Sequence, residues 1–109
     1  MIIKKPSIFI YVYLPDAAVL REICAGIEEE GVFYEVAEMS DICPGELAWN
    51  AANDSMLGSG IGLNGSHAAF QMRGANKKRS VQEYDKPTRE QARMLGANSA
   101  RAIKKLPFK

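Results

Sequence analysis

Residues 7–37 read SIFIYVYLPDAAVLREICAGIEEEGVFYEVA, and this stretch decides the fold. Ser7–Leu14 is a continuous apolar and aromatic run of strand length, closed by Pro15. With almost no alternation of apolar and polar residues, it reads as a central strand covered on both faces. Asp16 suits a helix N-cap. Leu20, Ile23, Cys24 and Ile27 then fall at i, i+3, i+4, i+7, the apolar stripe of an amphipathic helix. Gly31 is the residue type that accepts a left-handed conformation past a helix end, and Val32–Ala37 follows as a second strand. Strand, helix and strand in this order make a right-handed parallel crossover.

Further along, Pro44 fits a first helical position, and Glu46 to about Asn53 forms a short helix. Gly58–Leu63 is a third, glycine-rich strand. Asn64-Gly65 predicts a tight hairpin whose two turn residues take positive φ, which makes Ser66–Met72 a fourth strand antiparallel to the third. Arg73–Lys78 is a polar loop and Ser80–Tyr84 a fifth strand. Pro87-Thr88 opens a last helix, with Thr88 and Gln91 at capping-box spacing. Its inner stripe is Ala92, Leu95, Gly96, Ser99 and Ile103, small enough to lie close against the sheet, and Pro107 ends it. The expectation is one α/β domain over residues 1–109: three layers, with a mainly parallel five-stranded mixed sheet whose fourth strand is antiparallel.

Composition narrows the function. The chain has 109 residues, 47% hydrophobic and 25% charged, the balance of an ordinary globular domain. Its longest apolar run falls far short of the roughly 18 residues of a membrane helix, and no secretory signal pattern precedes it. Two cysteines make no disulfide framework, so a cytoplasmic location is expected. A net charge of +1 excludes a strongly basic nucleic-acid binder. The charges are unevenly placed, however. Residues 22–72 hold nine acids and no Lys or Arg, and residues 73–109 hold eleven bases and three acids. Either folding mixes these blocks, or the molecule presents one acidic and one basic side for oriented docking.

The sequence offers little for catalysis, and no catalytic residue is expected. The single histidine, His67, follows the hairpin and has no second histidine with which to bind a metal. Cys24 lies on the apolar stripe as a small hydrophobe, and Cys43 has no neighbouring base in sequence to activate it. Gly58, Gly60, Gly62 and Gly65 invite a phosphate-loop reading that fails, because no Gly-Lys-Ser/Thr and no helix follows them. Close packing against the helix carrying Trp49 explains those glycines better.

One cluster breaks a local rule. Glu28, Glu29 and Glu30 occupy the last turn of the first helix, where the exposed carbonyls already make the potential negative. No base lies within four residues to pair with them. Carboxylates from one short segment cannot fill the six or so oxygen positions of a hard divalent ion, so any ion here needs ligands from another chain. Glu22, Gly26 and Glu29 stand at i, i+4, i+7. A glycine between two acids on an outer face would let a partner's backbone approach closely.

Three segments, Val19–Val32 (VLREICAGIEEEGV), Leu47–Asp54 (LAWNAAND) and Gly96–Phe108 (GANSARAIKKLPF), resemble the small subunit of the diol/glycerol dehydratase reactivating factor. The similarity runs through most of the chain, except for residues 73–86. The resemblance implies a chaperone subunit without catalysis of its own, with the fold of the dehydratase medium subunit. It implies as partners a large ATPase subunit, in a heterotetramer of two large and two small chains, and the subunits of an adenosylcobalamin-dependent dehydratase. ATP or ADP would sit on the large partner, and no cofactor would be bound by this chain alone. Subunits would be swapped so that damaged cofactor can leave. The resemblance makes Glu29 a ligand, in trans, to a magnesium ion held mainly by the large subunit. Glu22, Gly26, Glu28 and Glu30 are then flanking partner-binding residues. It implies neither nucleic acid nor membrane as partner, and it leaves open residence in a bacterial microcompartment. Two other readings are a medium subunit of the dehydratase itself, from which the chain would differ by lacking extra N-terminal length, and an independent α/β domain binding a small ligand at its strand ends.

Overall fold

The computed structural model describes residues 5–109. Its elements are β1 (Ser7–Tyr13), α1 (Ala17–Glu29), β2 (Phe33–Glu38), α2 (Pro44–Asp54), β3 (Ser59–Asn64), β4 (His67–Met72), β5 (Gln82–Asp85) and α3 (Arg89–Lys104). The sheet order is β2-β1-β3-β4-β5. β1 runs parallel to both β2 and β3, while β4 is antiparallel to β3 and β5. The expected architecture stands, with β1 central and strand four reversed.

Alternation along β1 divides the core. Ile8, Ile10 and Val12 face α1 and α3, where they join Ile23, Ile27, Leu63, Phe70 and Leu95 with no more than 1% exposure. Tyr11 faces α2, packed on Leu47 and Ala51. Asp16 caps α1 by accepting hydrogen bonds from the amides of Ala18 and Val19 at 2.9 and 3.1 Å. Gly31, at φ +73°, ends that helix as expected. The Thr88–Gln91 capping box of α3 forms in both directions.

Two expectations change. The hairpin turn is Gly65-Ser66, because Asn64 still pairs with His67 across the ladder. Gly65 takes φ +59° at the first turn position, the place where a two-residue hairpin of this kind requires glycine. Asn64 instead donates to the Asp41 carboxylate at 2.8 Å and the Ile42 carbonyl at 3.1 Å, tying down the β2–α2 connection. The second change concerns Gly96. A Cβ there would stand 2.0 Å from the carbonyl oxygen of Ile23 on α1, so this part of the small-residue stripe seals one helix against another rather than against the sheet.

The glycines of β3 do what close packing asks. A Cβ at Gly60 would stand 2.1 Å from the Ala52 nitrogen, and one at Gly62 2.1 Å from the Pro44 carbonyl. α2 therefore rests directly on the β3 backbone. Past α3, the Phe108 ring lies 6.2 Å from buried Phe70, and the Lys109 amide donates to the buried Asn98 side chain at 2.8 Å. These contacts turn the last residues back toward the end of α1.

Candidate partner-binding site at the end of helix α1

The α1–α3 seam decides what the acidic residues of α1 can do. Gly26 is buried, and a Cβ there would stand 2.1 Å from the Arg93 carbonyl oxygen. The backbone that approaches this glycine is the chain's own, which corrects the expectation of a partner's backbone there. With Gly96 against Ile23, the seam is closed by a glycine from each helix. Contact this close brings Arg93, Arg101 and Lys104 beside the acids of α1.

Glu22 is only 6% exposed. Both its carboxylate oxygens accept from Arg93 Nη2 at 2.9 Å, with Arg89 Nε at 3.6 Å. A buried charge needs such a partner, and here it is internal. Glu22 is therefore a structural residue of the seam rather than a residue facing a partner.

Two of the triplet are compensated as well: no base lies within four residues in sequence, but α3 and the C-terminus bring bases to Glu29 and Glu30, which overturns the expectation that their compensation comes only from another chain. Glu30 accepts from Arg101 Nε at 3.2 Å, has Lys109 Nζ at 3.7 Å, and keeps 11% of its side chain exposed. Its backbone carbonyl accepts from the Lys104 ammonium. Cations on these last carbonyls satisfy groups that a helix end otherwise leaves unpaired, and they oppose its negative pole. Glu28 has no base. It accepts instead from the Tyr34 hydroxyl on β2 at 2.7 Å. That bond first, and burial second, hold the Tyr34 phenol well above its ordinary range. Burial likewise pushes up the neighbouring Cys24 thiol, as befits an inert half-buried cysteine.

Glu29 differs from both neighbours. Its side chain is 42% exposed, and its oxygens stand 3.2 Å from Arg93 Nη1 and 3.9 Å from Lys109 Nζ. Arg93 is already engaged by Glu22, and an ion pair this exposed contributes only about 0.2–1 kcal/mol. The carboxylate can thus turn outward at little cost. Among the described residues, no three metal-ligating side chains gather closely enough to hold an ion. What the tip can supply to a hard cation is one exposed carboxylate oxygen donor, a fit to a single position in a coordination shell completed from elsewhere.

The compensating bases lie more than sixty residues from the triplet in sequence. Their signal was the spacing of Arg93, Arg101 and Lys104, at i, i+8 and i+11 on one side of a helix, together with the opposite charge of that block.

Elsewhere, a groove of about 610 Å3 between the start of α2 and the β4–β5 side is lined by Cys43, Glu46, His67, Lys77, Ser80 and Glu83, among others. His67 Nε2 lies 2.9 Å from Glu83 Oε2, and Ser80 donates to the other oxygen of Glu83 at 3.2 Å. The carboxylate thus sits between histidine and serine, an order that does not activate the serine as a nucleophile.

The family model described as dehydratase medium subunit matches residues 5–109. The chain is 31% identical to the probable glycerol dehydratase-reactivating factor small subunit of Citrobacter freundii, over 99% of this chain and 97% of that protein. Two solved structures share the fold at a TM-score of 0.90. One is a glycerol dehydratase reactivase, 25% identical over 96% of this chain and 97% of the other. The second is a diol dehydratase-reactivating factor complexed with ADP and Mg2+, 26% identical over 97% of this chain and 99% of that one.

Proposed function

This chain belongs to the dehydratase medium subunit family, and on that premise we propose that it is the small subunit of a chaperone that reactivates an adenosylcobalamin-dependent diol or glycerol dehydratase. The observation that carries this reading is the near end-to-end match to a reactivating-factor small subunit, 31% identical over 99% of this chain. Its action is binding. The subunit occupies a large ATP-binding partner and leaves it when a dehydratase subunit of the same fold takes its place, so that the opened enzyme can lose damaged cofactor.

The end of α1 is the coupling point in this reading, with Glu28 and Glu30 flanking Glu29. A magnesium ion held mainly by the large subunit would supply a positive centre for a carboxylate of this chain. Glu29 is the residue suited to face it, because its own pairs are solvent-exposed and easily exchanged. A swap requires a contact that is specific yet releasable, and one monodentate carboxylate fits that need better than a buried network. Glu22 and Gly26 serve indirectly, by fixing α1 on α3 so that the tip is rigid.

Capture by the reactivase large subunit, with ADP and magnesium or with ATP, tests the reading. Capture should change with the nucleotide. Glu29→Ala should weaken it more than Glu90→Ala, an exposed acid at the start of α3, and chelating magnesium should shrink that difference. Stable assembly with dehydratase subunits and no capture by the large subunit would assign the chain to the dehydratase instead. Indifference to both would leave neither reading standing.

A further inference from the structure

The two edges of the sheet differ. β5 is four residues long. β2 runs six residues in unbroken register with β1 and contains no proline, lysine or bulge, the devices that usually blunt an edge. The sheet face beside it, on the α2 side, is open. Phe33 is 54% exposed and Met39 37%. A shallow groove of about 410 Å3 is lined there by Phe9, Tyr11, Glu35, Val36, Ala37 and Met39. The charge has one sign: Glu35 and Glu38 are exposed and have no ion-pair partner among the described residues, and residues 22–72 contain no Lys or Arg. A cation already rests on this face, where Lys5 Nζ stands 4.6 Å from the centroid of the Phe33 ring.

We propose that the β2 edge and its open groove form a strand-addition site for an extended, apolar segment bearing basic side chains on a partner polypeptide. Unpaired backbone groups along β2 would take the segment as a sixth strand. On the α2 face, Phe33, Phe9 and Ala37 would receive its apolar side chains, and Glu35 on that face and Glu38 on the opposite one would select lysine or arginine over acids. A second copy of this chain suits the site poorly, because β2 against β2 crowds four glutamates along one seam. Only Glu30, Gly31 and Val32 separate the end of α1 from Phe33, so the surface adjoins Glu28 and Glu29. Assigning the segment to the large subunit rests on the function proposed above; the chemistry of the site does not.

The full chain, isotope-labelled for amide detection by NMR, would be titrated with two capped hexapeptides, one alternating valine with lysine and the other valine with glutamate. The lysine peptide should shift the amides of Phe33–Glu38 and bind about tenfold more tightly than the glutamate peptide. The double variant E35K/E38K, altered only at exposed side chains, should weaken its binding about tenfold or more. Shifts centred on β5 or α3, equal binding of the two peptides, or no saturable binding would overturn the proposal. So would concentration-dependent broadening of β2 amides without peptide, which would give the edge to self-pairing. Glu29→Ala should leave peptide binding unchanged, so loss of large-subunit capture and loss of peptide binding are separate results.

Discussion

Glu22 and Glu29 lie two turns apart on α1 and share one guanidinium, that of Arg93, yet they are opposites. Glu22 is 6% exposed, with both oxygens on a single nitrogen at 2.9 Å. Glu29 has 42% of its side chain exposed and one contact to Arg93, at 3.2 Å. The residue type, the helix and the partner are the same, so none of these explains the difference. Depth in the α1–α3 seam explains it. Between the two acids, Gly26 lets the Arg93 carbonyl approach to what would be Cβ distance, and Glu29 lies at the exposed rim of that contact. An acid beneath that contact becomes part of the fold, while one at its rim keeps a side open to another molecule.

The most forceful way to break the comparison is to open the seam. In Gly26→Ala the added methyl would lie 2.1 Å from a backbone oxygen that cannot swing away. The cost should reach about 3 kcal/mol, the upper end for overpacking, despite alanine's better helix propensity. That corresponds to a fall of roughly 12–18 °C in the thermal midpoint, read by calorimetry or circular dichroism. A midpoint within a few degrees of the parent would mean that the seam is not held by this contact.

A double-mutant cycle measures the two ends of the seam separately. Arg93→Ala should cost about 2–3 kcal/mol, because it leaves Glu22 buried beside only the exposed Arg89; this is less than for a fully buried pair, since Arg93 is itself half exposed. Coupling between Glu22 and Arg93 should exceed coupling between Glu29 and Arg93 by about 1 kcal/mol or more in urea titrations. Equal couplings would erase the distinction between buried and exposed ends.

How far this was legible in the sequence follows from the range of the forces involved. The strand–helix–strand order, the Gly31 stop and the capping box of α3 depend on neighbours a few residues apart, and the sequence displays them. So does the reversed fourth strand, although the turn itself slips by one residue because Asn64 has a better use for its amide on Asp41 and Ile42. The glycines of β3 were readable as close packing because the short helix next to them is rich in alanine. The acidic tip was visible as an anomaly, but its partners were not. Arg93, Arg101 and Lys109 reach it only through the packing of α3 and the return of the C-terminus past Phe70. Nothing in the local pattern around Glu22 marks it as buried, and periodicity alone placed it on an outer face.

Glu28 offers a third state between the two extremes, paired with a neutral phenol instead of a base. Because the folded Tyr34 pKa is raised above the ordinary value near 10, the folded state keeps a proton that the unfolded chain has lost in strong base. The contribution is therefore complete below about pH 10 and lost as the pH rises through the folded value. It amounts to less than about 1 kcal/mol at so exposed a site. Tyr11, raised by burial and by its bond to Asp54, adds a decline of the same sign. Urea midpoints measured from pH 9 upward should fall for the parent and fall less steeply for Tyr34→Phe. A parallel decline in both would remove the phenol from the account.

The smallest stability effect belongs to the residue given the largest functional one. Glu29→Ala removes an exposed pair to Arg93 and a long one to Lys109, and leaves Arg93 fully engaged by Glu22. Loss of those pairs should cost less than about 0.5 kcal/mol. Removing a negative charge from the C-terminal turn of α1 should return part of even that, by easing repulsion from the helix carbonyls. Net stability should therefore stay nearly level, and raising the salt concentration should change parent and variant alike. A carboxylate that contributes so little to its own fold, held on a helix fixed by two interlocking glycines, is placed to act on something outside the chain. If Glu29→Ala lowered stability by about 2 kcal/mol or more, as Arg93→Ala should, Glu29 would belong with Glu22 as a member of the seam, and the α1 tip would lose its standing as a docking point.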